Sequence, residues 1–208
     1  MGVKDETLGQ FLSSLAAATP TPGGGSVSAL VGALGAALAR MVAGLARDKK
    51  GYEAVQSDLV QIESKGSAIQ ERLTQLVEDD SRAYEAVVAA MRLPKGTDPE
   101  KALRVEAMQA AYKEATRVPL ETMEACSEVL ELAVLALEKG NRGATTDAAV
   151  AILLAEAGLR GASLNARINL ASIRDETFRT ASEAKMDRIL SHADEVGHRG
   201  MTLAEGRL

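Results

Sequence analysis

The chain has 208 residues, a formal net charge of -5 at pH 7, 46 % apolar residues, 2 % aromatics and no tryptophan. That length suits one domain with a sizeable core, and the mixing of both charge signs, without a basic stripe or aromatic–basic interleaving, excludes a nucleic-acid partner. The single cysteine, Cys126, excludes an internal disulfide and suits a reducing cytosol as a small buried apolar residue.

The chain opens on Lys4, Asp5 and Glu6, without the basic-then-apolar order of a secretory signal. Asp5 is placed to cap a first helix carrying Leu8, Phe11, Leu12 and Leu15 at helical spacing. The segment TPTPGGGS, Thr19 to Ser26, cannot continue it. Ser26 can cap a second helix reaching about Arg47. From Ser26 to Ala46 the only charge is Arg40, a length that would cross a bilayer. Its Gly32, Ala33, Gly35, Ala36, Ala37 and Ala39 argue instead for a buried central helix in tight contact with its neighbours, and for no membrane.

Asp48 to Gly51 breaks the pattern, and a long helix is expected from Tyr52 to about Met91. Its seam reads Val55, Leu59, Ile62, Gly66, Ile69, Leu73, Leu76, Asp80, Ala83, Val87, in steps of four and three. Leu93 to Thr97 forms a loop, and Asp98 with Pro99 starts the next helix. Pro119 is expected to kink or divide that helix, whose second part ends at Lys139 with Gly140 as its stop. A loop, Asn141 to Thr145, leads to a helix from Thr146 to Ser172. Asp175 caps a last helix reaching about Ala193, and the chain after Gly197 reads as polar and frayed. No period-two alternation is sustained. The fold is therefore read as all-α, a mostly antiparallel bundle of five to seven helices with a glycine-rich turn between helices one and two. It forms a single domain over 1–196 with a polar tail over 197–208.

Several residues carry possible chemistry. Gly23, Gly24, Gly25 and Ser26 open a helix, where free amides and the helix dipole attract anions; the plain alternative is a tight turn. Asp80 stands where an apolar residue belongs, so it is either functional or paired with a cation such as Arg40 or Arg167. Asp79 points about 100° away and reads as solvated. Asp147 in a first helical turn either complements the dipole or belongs to a site beside the Gly140–Gly143 loop. Asn165, Arg167 and Asn169 punctuate an apolar helix, either satisfying buried polar groups, reading a heterocycle or facing water. Lys49, Lys50 and Tyr52 form a small basic–aromatic break. His192 and His198 have no partners at metal-ligand spacing, so no metal site is expected.

Taken together, TPTPGGGSVSAL, DKKGY, EDDSRAYEAVVAAMRLPK, VPLE, KGNRGATTDAAVA and GASLNARINLASIRD resemble the cyclodeaminase/cyclohydrolase family, in order and over nearly the whole chain. That family comprises methenyltetrahydrofolate cyclohydrolases and the C-terminal domain of formiminotransferase-cyclodeaminase. Asp48 and Thr146 depart from its usual Gly and Ser. The resemblance implies a helical homodimer that binds folate near the glycine-rich turn and uses no metal or redox cofactor; the cytoplasmic location is expected from the single cysteine. It places Asp80 and Asp147 in or near the catalytic site. Gly23, Gly24, Gly25, Ser26, Lys49, Asn141, Thr146 and Asn165 are the expected substrate contacts.

The activity expected from the resemblance is hydrolysis of 5,10-methenyltetrahydrofolate to 10-formyltetrahydrofolate. The alternatives are ammonia release from 5-formiminotetrahydrofolate and a non-enzymatic helical dimerisation module.

Overall fold

The computed structural model describes residues 6–208, and every regular element among them is helical. Six α-helices follow in chain order: α1 (Leu8–Leu15), α2 (Gly24–Gly44), α3 (Gln56–Met91), α4 (Asp98–Lys139), α5 (Thr145–Leu170) and α6 (Glu176–Glu205). Short 3-10 turns, Glu53–Val55 and Arg142–Ala144, lead into α3 and α5.

α2 forms the centre of the bundle. It packs against α3, α4 and α5, and the contacts fix their directions. Ser26 meets Asp80 and Arg40 meets Gln70, so α2 and α3 are antiparallel. Gly35 faces Ala151 and Ala155 while Gly32 and Gly158 both close on Cys126, so α5 also runs opposite to α2. α6 lies across α4 and α5, with Gly197 against Glu156 and Gly200 against Val134 and Ile152. The expected antiparallel bundle is thus observed between successive helices.

The core is filled almost without rings. Alanine supplies nearly half of the buried apolar residues, and Phe11 is the one buried aromatic among those described. Small residues let helix axes approach closely, so contact comes from backbone as much as from side chains. The tightest point is Cys126. A Cβ on Gly32 would lie 2.5 Å from its Sγ and one on Gly158 2.9 Å from it. Burial pushes this thiol up to about 12.

Several boundaries differ from expectation. Thr7, not Asp5, caps α1 in a capping box with Gln10, and Asp5 lies outside the described residues. Gly23 rather than Ser26 is the N-cap of α2, because Ser26 is already in the first turn and its hydroxyl is engaged by α3. Thr97, not Asp98, caps α4. Gly140 ends α4 with an extended backbone (φ -78°, ψ -166°), so no left-handed turn demands glycine. Space demands it: a Cβ would meet Ala136 O at 2.5 Å and Val42 Cγ1 at 2.7 Å.

Pro119 neither kinks α4 apart nor divides it; the helix runs unbroken for 42 residues. A proline removes the amide that would bond to the carbonyl four residues earlier, here that of Ala115. Asn169 on α5 supplies the replacement, its Nδ2 donating to Ala115 O at 2.6 Å. The C-terminal segment is also corrected. α6 continues to Glu205 rather than fraying after Gly197, because Gly197, Gly200 and Ala204 bury one face against α4 and α5.

α2 is long and apolar enough to cross a membrane by length and composition. Eleven of its residues, including Ala29, Ala36 and Ala43, are instead buried within the bundle. Its burial is not all round, as expected of a central helix: Leu34, Met41 and Leu45 stand exposed along one side.

Candidate active site

At the N-terminal end of α2 a pocket of about 340 Å³ opens between α2, α3, α4 and α5. Asp80 is its one titratable carboxylate. Gly23, Gly24 and Gly25 form one wall, and Tyr84, Val87 and Met91 from α3 another. Tyr112 and Ala115 come from α4, and Asn165, Ile168 and Asn169 from α5. Larger clefts elsewhere include one beside Arg167, Arg179 and Glu183, whose lining already pairs both charge signs.

The seam position of Asp80 turns its side chain inward as the spacing requires, but no cation meets it. Ser26 Oγ donates to Asp80 Oδ2 at 2.8 Å, and Ser26 Oγ lies 3.4 Å from Ser81 Oγ. Burial raises the Asp80 carboxyl above its ordinary value, with the Ser26 hydroxyl and backbone amide offsetting part of the rise. The structural alternative, a pair with Arg40 or Arg167, is not what forms. Arg40 bonds to Gln70 at 2.6 Å, and its buried Nε has no partner.

The neighbouring Asp79 is pushed the other way. Burial raises its pKa, but hydrogen bonds from Gln75, Arg82 and Arg72 lower it overall. It is paired with Arg72 at 3.0 Å and with Arg82, rather than simply solvated. Two adjacent acids thus hold opposite tendencies because one faces cations and the other a hydroxyl and a pocket.

The glycines of the turn have a specific reason. None of Gly23, Gly24 and Gly25 has a positive φ. A Cβ on Gly25, however, would lie 2.6 Å from Asp80 Cγ and 2.8 Å from Oδ2, closer than any real contact. Gly25 therefore makes room for the carboxylate. Gly24 has ordinary space, with Asn165 Nδ2 at 3.6 Å. The expectation that this helix end would hold a ligand's negative charge is changed by the same fact: the protein's own Asp80 occupies it.

Asn165 lines the pocket, its Nδ2 donating to Gly161 O at 2.9 Å. Asn169 lines it too, but its amide is committed to the Pro119 gap.

The remaining expected residues lie elsewhere. Asn141 N bonds to Val42 O at the C-terminal end of α2. Its side chain donates to Leu45 O and accepts from Gly143 N, each at 2.9 Å, so both halves of the amide serve the backbone rather than a substrate. Tyr52 Oη accepts from Arg142 N at 3.1 Å. Lys49 and Thr146 are exposed near this loop, and Asp147 is half-buried in the first turn of α5. A helix of 21 residues is roughly 30 Å long. Within one chain, therefore, Asp80 and the Lys49–Asn141–Asp147 group stand at opposite ends of α2 and do not meet.

A family model for formiminotransferase-cyclodeaminase matches residues 7–188. The chain belongs to this family. The methenyltetrahydrofolate cyclohydrolase of Methylorubrum extorquens is 43 % identical over 195 residues, covering 94 % of each chain. The formimidoyltransferase-cyclodeaminase of Rattus norvegicus is 33 % identical over 189 residues, covering 91 % of this chain but 35 % of the longer rat protein. The crystal structure of formiminotetrahydrofolate cyclodeaminase from Thermotoga maritima superposes with a TM-score of 0.89 at 31 % identity, covering 98 % of both chains.

For this cyclodeaminase-family chain, the sequence did not mark Tyr112 at the pocket or Ser81 beside Ser26. Tyr112 had a readable signal. The chain has only three tyrosines, and in so ring-poor a composition each one is informative. Two of them, Tyr84 and Tyr112, line this pocket. Ser81 had none, since a serine on a helix is ordinary.

Proposed function

We propose that the protein is a methenyltetrahydrofolate cyclohydrolase, adding water to 5,10-methenyltetrahydrofolate to give 10-formyltetrahydrofolate. The observation that carries the mechanism is Asp80: a carboxylate with no cationic partner, raised by burial and fixed by Ser26 at the head of a pocket. The substrate's bridge carbon belongs to a cationic amidinium and is already electrophilic. A cation entering beside Asp80 supplies the opposite charge the carboxylate lacks and favours its ionised form.

Asp80 takes one proton from the attacking water while the oxygen bonds to the bridge carbon. As the bond from that carbon to N5 breaks, Asp80 returns the proton to N5. The hydroxyl proton leaves to solvent as the formyl C=O forms on N10. One proton is released overall, and no metal or redox cofactor is required. About 340 Å³ is within the usual range for small-ligand pockets. The reading includes a homodimer in the cytosol, not associated with a membrane.

Cyclodeamination is the second reading, favoured by the Thermotoga and rat relatives; there the same carboxylate would serve N10 attack and ammonia departure. The near full-length 43 % relative weighs toward hydrolysis. A purely structural helix-packing role would leave the half-buried, raised carboxylate without a reason. The deciding experiment follows methenyltetrahydrofolate loss by absorbance beside ammonia release from formiminotetrahydrofolate. Faster turnover of the second substrate would overturn the hydrolase reading, and activity on neither would remove both.

A further inference from the structure

The pocket at the head of α2 is lined by groups that accept hydrogen bonds. Asp80 offers a carboxylate, and Asn165 and Asn169 offer amide oxygens. The hydroxyls of Thr21, Tyr84 and Tyr112 can donate or accept. No lysine or arginine, whose side chains only donate, lines it.

Each asparagine is held by one bond. Asn165 Nδ2 donates to Gly161 O at 2.9 Å, and Asn169 Nδ2 donates to Ala115 O at 2.6 Å. A carbonyl only accepts, so turning either amide over would set oxygen against oxygen, and the orientation is determined. No described residue donates to either Oδ1. Neither oxygen is sealed off. Among the described residues that are at least partly buried, Arg40 Nε is the only side-chain nitrogen or oxygen that is both closed to solvent and unpartnered. Both Oδ1 atoms are therefore open acceptors on residues that line the pocket.

Packing accounts for Asn169, which donates to the carbonyl left by Pro119, but not for Asn165. Gly161 O lies within α5 and already receives the helical amide of residue 165, so the side chain adds a second donor that the helix does not need. An asparagine inside a helix is also less favourable than alanine. The two residues stand one turn apart on one face of α5, where Cβ atoms are about 5–6 Å apart. Two acceptors that each take one hydrogen of a planar amino group sit about 5 Å apart, for bonds of about 2.9 Å diverging at about 120°. Neighbouring N–H groups along a ring edge point in parallel and suit the closer oxygens of a single carboxylate. The spacing thus fits an exocyclic amino group better than a ring edge.

A tetrahydropterin is a rigid fused ring system with its 2-amino group at one end and N5, which carries the bridge carbon, at the other. Asp80 and the asparagine pair line the pocket from different helices, α3 and α5. We infer that Asn165 Oδ1 and Asn169 Oδ1 accept the two hydrogens of the pterin 2-amino group, fixing that end of the ring system while Asp80 attends the bridge carbon. This subsite rests on the folate reading. It assigns the pocket to the donor-bearing head of the substrate rather than to its anionic glutamate end, for which the lining holds no cation.

The test compares two ligands by calorimetric titration: 5-formyltetrahydrofolate, which lacks the reactive bridge, and its 2-desamino analogue, with hydrogen in place of the amino group. The wild type is expected to bind the first about 10–100-fold more tightly, for two hydrogen bonds lost. Asn165→Ala should weaken 5-formyltetrahydrofolate by about 3–10-fold and leave the desamino analogue nearly unchanged. Its melting temperature should not fall, because Gly161 O keeps its helical bond. Asn169 is tested as Asn169→Leu/Pro119→Ala, in which position 119 regains the amide that satisfies Ala115 O; the same selective loss is expected. A wild type that turns over methenyltetrahydrofolate yet binds the two ligands equally would overturn the subsite alone. So would an Asn165→Ala protein that loses both ligands alike. A wild type that neither binds 5-formyltetrahydrofolate nor turns over methenyltetrahydrofolate would overturn the folate reading and the subsite with it.

Discussion

Two adjacent glycines should respond oppositely to the same substitution. In Gly25→Ala the new methyl would start 2.6 Å from Asp80 Cγ, where ordinary contact begins near 3.4 Å. The carboxylate must retreat by nearly 1 Å, because the other side of the clash is helix backbone. The 2.8 Å bond from Ser26 is lost with it, at about 1 kcal/mol. The helical gain of alanine over glycine, up to about 1 kcal/mol, offsets that loss. Stability is therefore expected to change little, while a misplacement of this size costs roughly 100-fold in turnover. In Gly24→Ala the methyl meets Asn165 Nδ2 at 3.6 Å, an ordinary contact, and turnover should stay within a few-fold of wild type. The assay is paired: melting temperature, and turnover of methenyltetrahydrofolate by absorbance. Wild-type turnover in a folded Gly25→Ala protein would refute the argument that this glycine exists to seat Asp80.

Asp80→Asn retains an acceptor for Ser26 but no base, so turnover should fall by about 10²–10⁴ with the melting temperature unchanged or higher at neutral pH; a marked loss of thermal stability would mean the carboxylate is structural. Because the folded-state pKa of Asp80 is raised, the folded protein holds the proton at pH values where the unfolded chain has lost it, and this residue's contribution to stability improves as pH falls through that pKa. Activity moves the other way, with an acid limb in kcat/KM above the ordinary carboxylate range; a rate flat through that range would count against Asp80 as the base. Asn169→Leu leaves Ala115 O unsatisfied beside Pro119 at about 1–3 kcal/mol. That should lower the melting temperature of a chain this size by roughly 2–4 °C per kcal/mol, and Pro119→Ala in the same chain should recover part of the loss by restoring the backbone amide that bonds to Ala115 O within α4.

The helices were legible where one rule governed them. The four-and-three seam of α3 placed Leu59 through Val87 inward and marked Asp80 as out of character, and the half-buried carboxylate is where the seam put it. Rules failed where a distant residue answered a local one. Pro119 reads as a break, and only Asn169, fifty residues on, removes the reason for it. The end of α6 reads as a tail because its polar residues dominate the composition, while the buried Gly197, Gly200 and Ala204 have too little side chain to register as apolar. The family resemblance put Asp80 and Asp147 in or near one site, and within one chain the fold sets them apart. Asp80 and Asp147 each stand beside glycines and polar residues, but only the direction of α2 reveals that they occupy its opposite ends.

The position of Cys126 has a practical consequence. Its sulfur is wedged between Gly32 and Gly158, where α2, α4 and α5 come closest, and it is held as the neutral thiol. A thiol reagent can reach it only when those three helices part, and only the thiolate reacts. The rate of labelling of the unmodified protein, followed with a chromogenic disulfide, therefore reads out how often the centre of the bundle opens. Because the chain has no other cysteine, that single signal needs no engineered probe to interpret. A folate bound at the Asp80 pocket, which α2, α4 and α5 also help to enclose, should slow it.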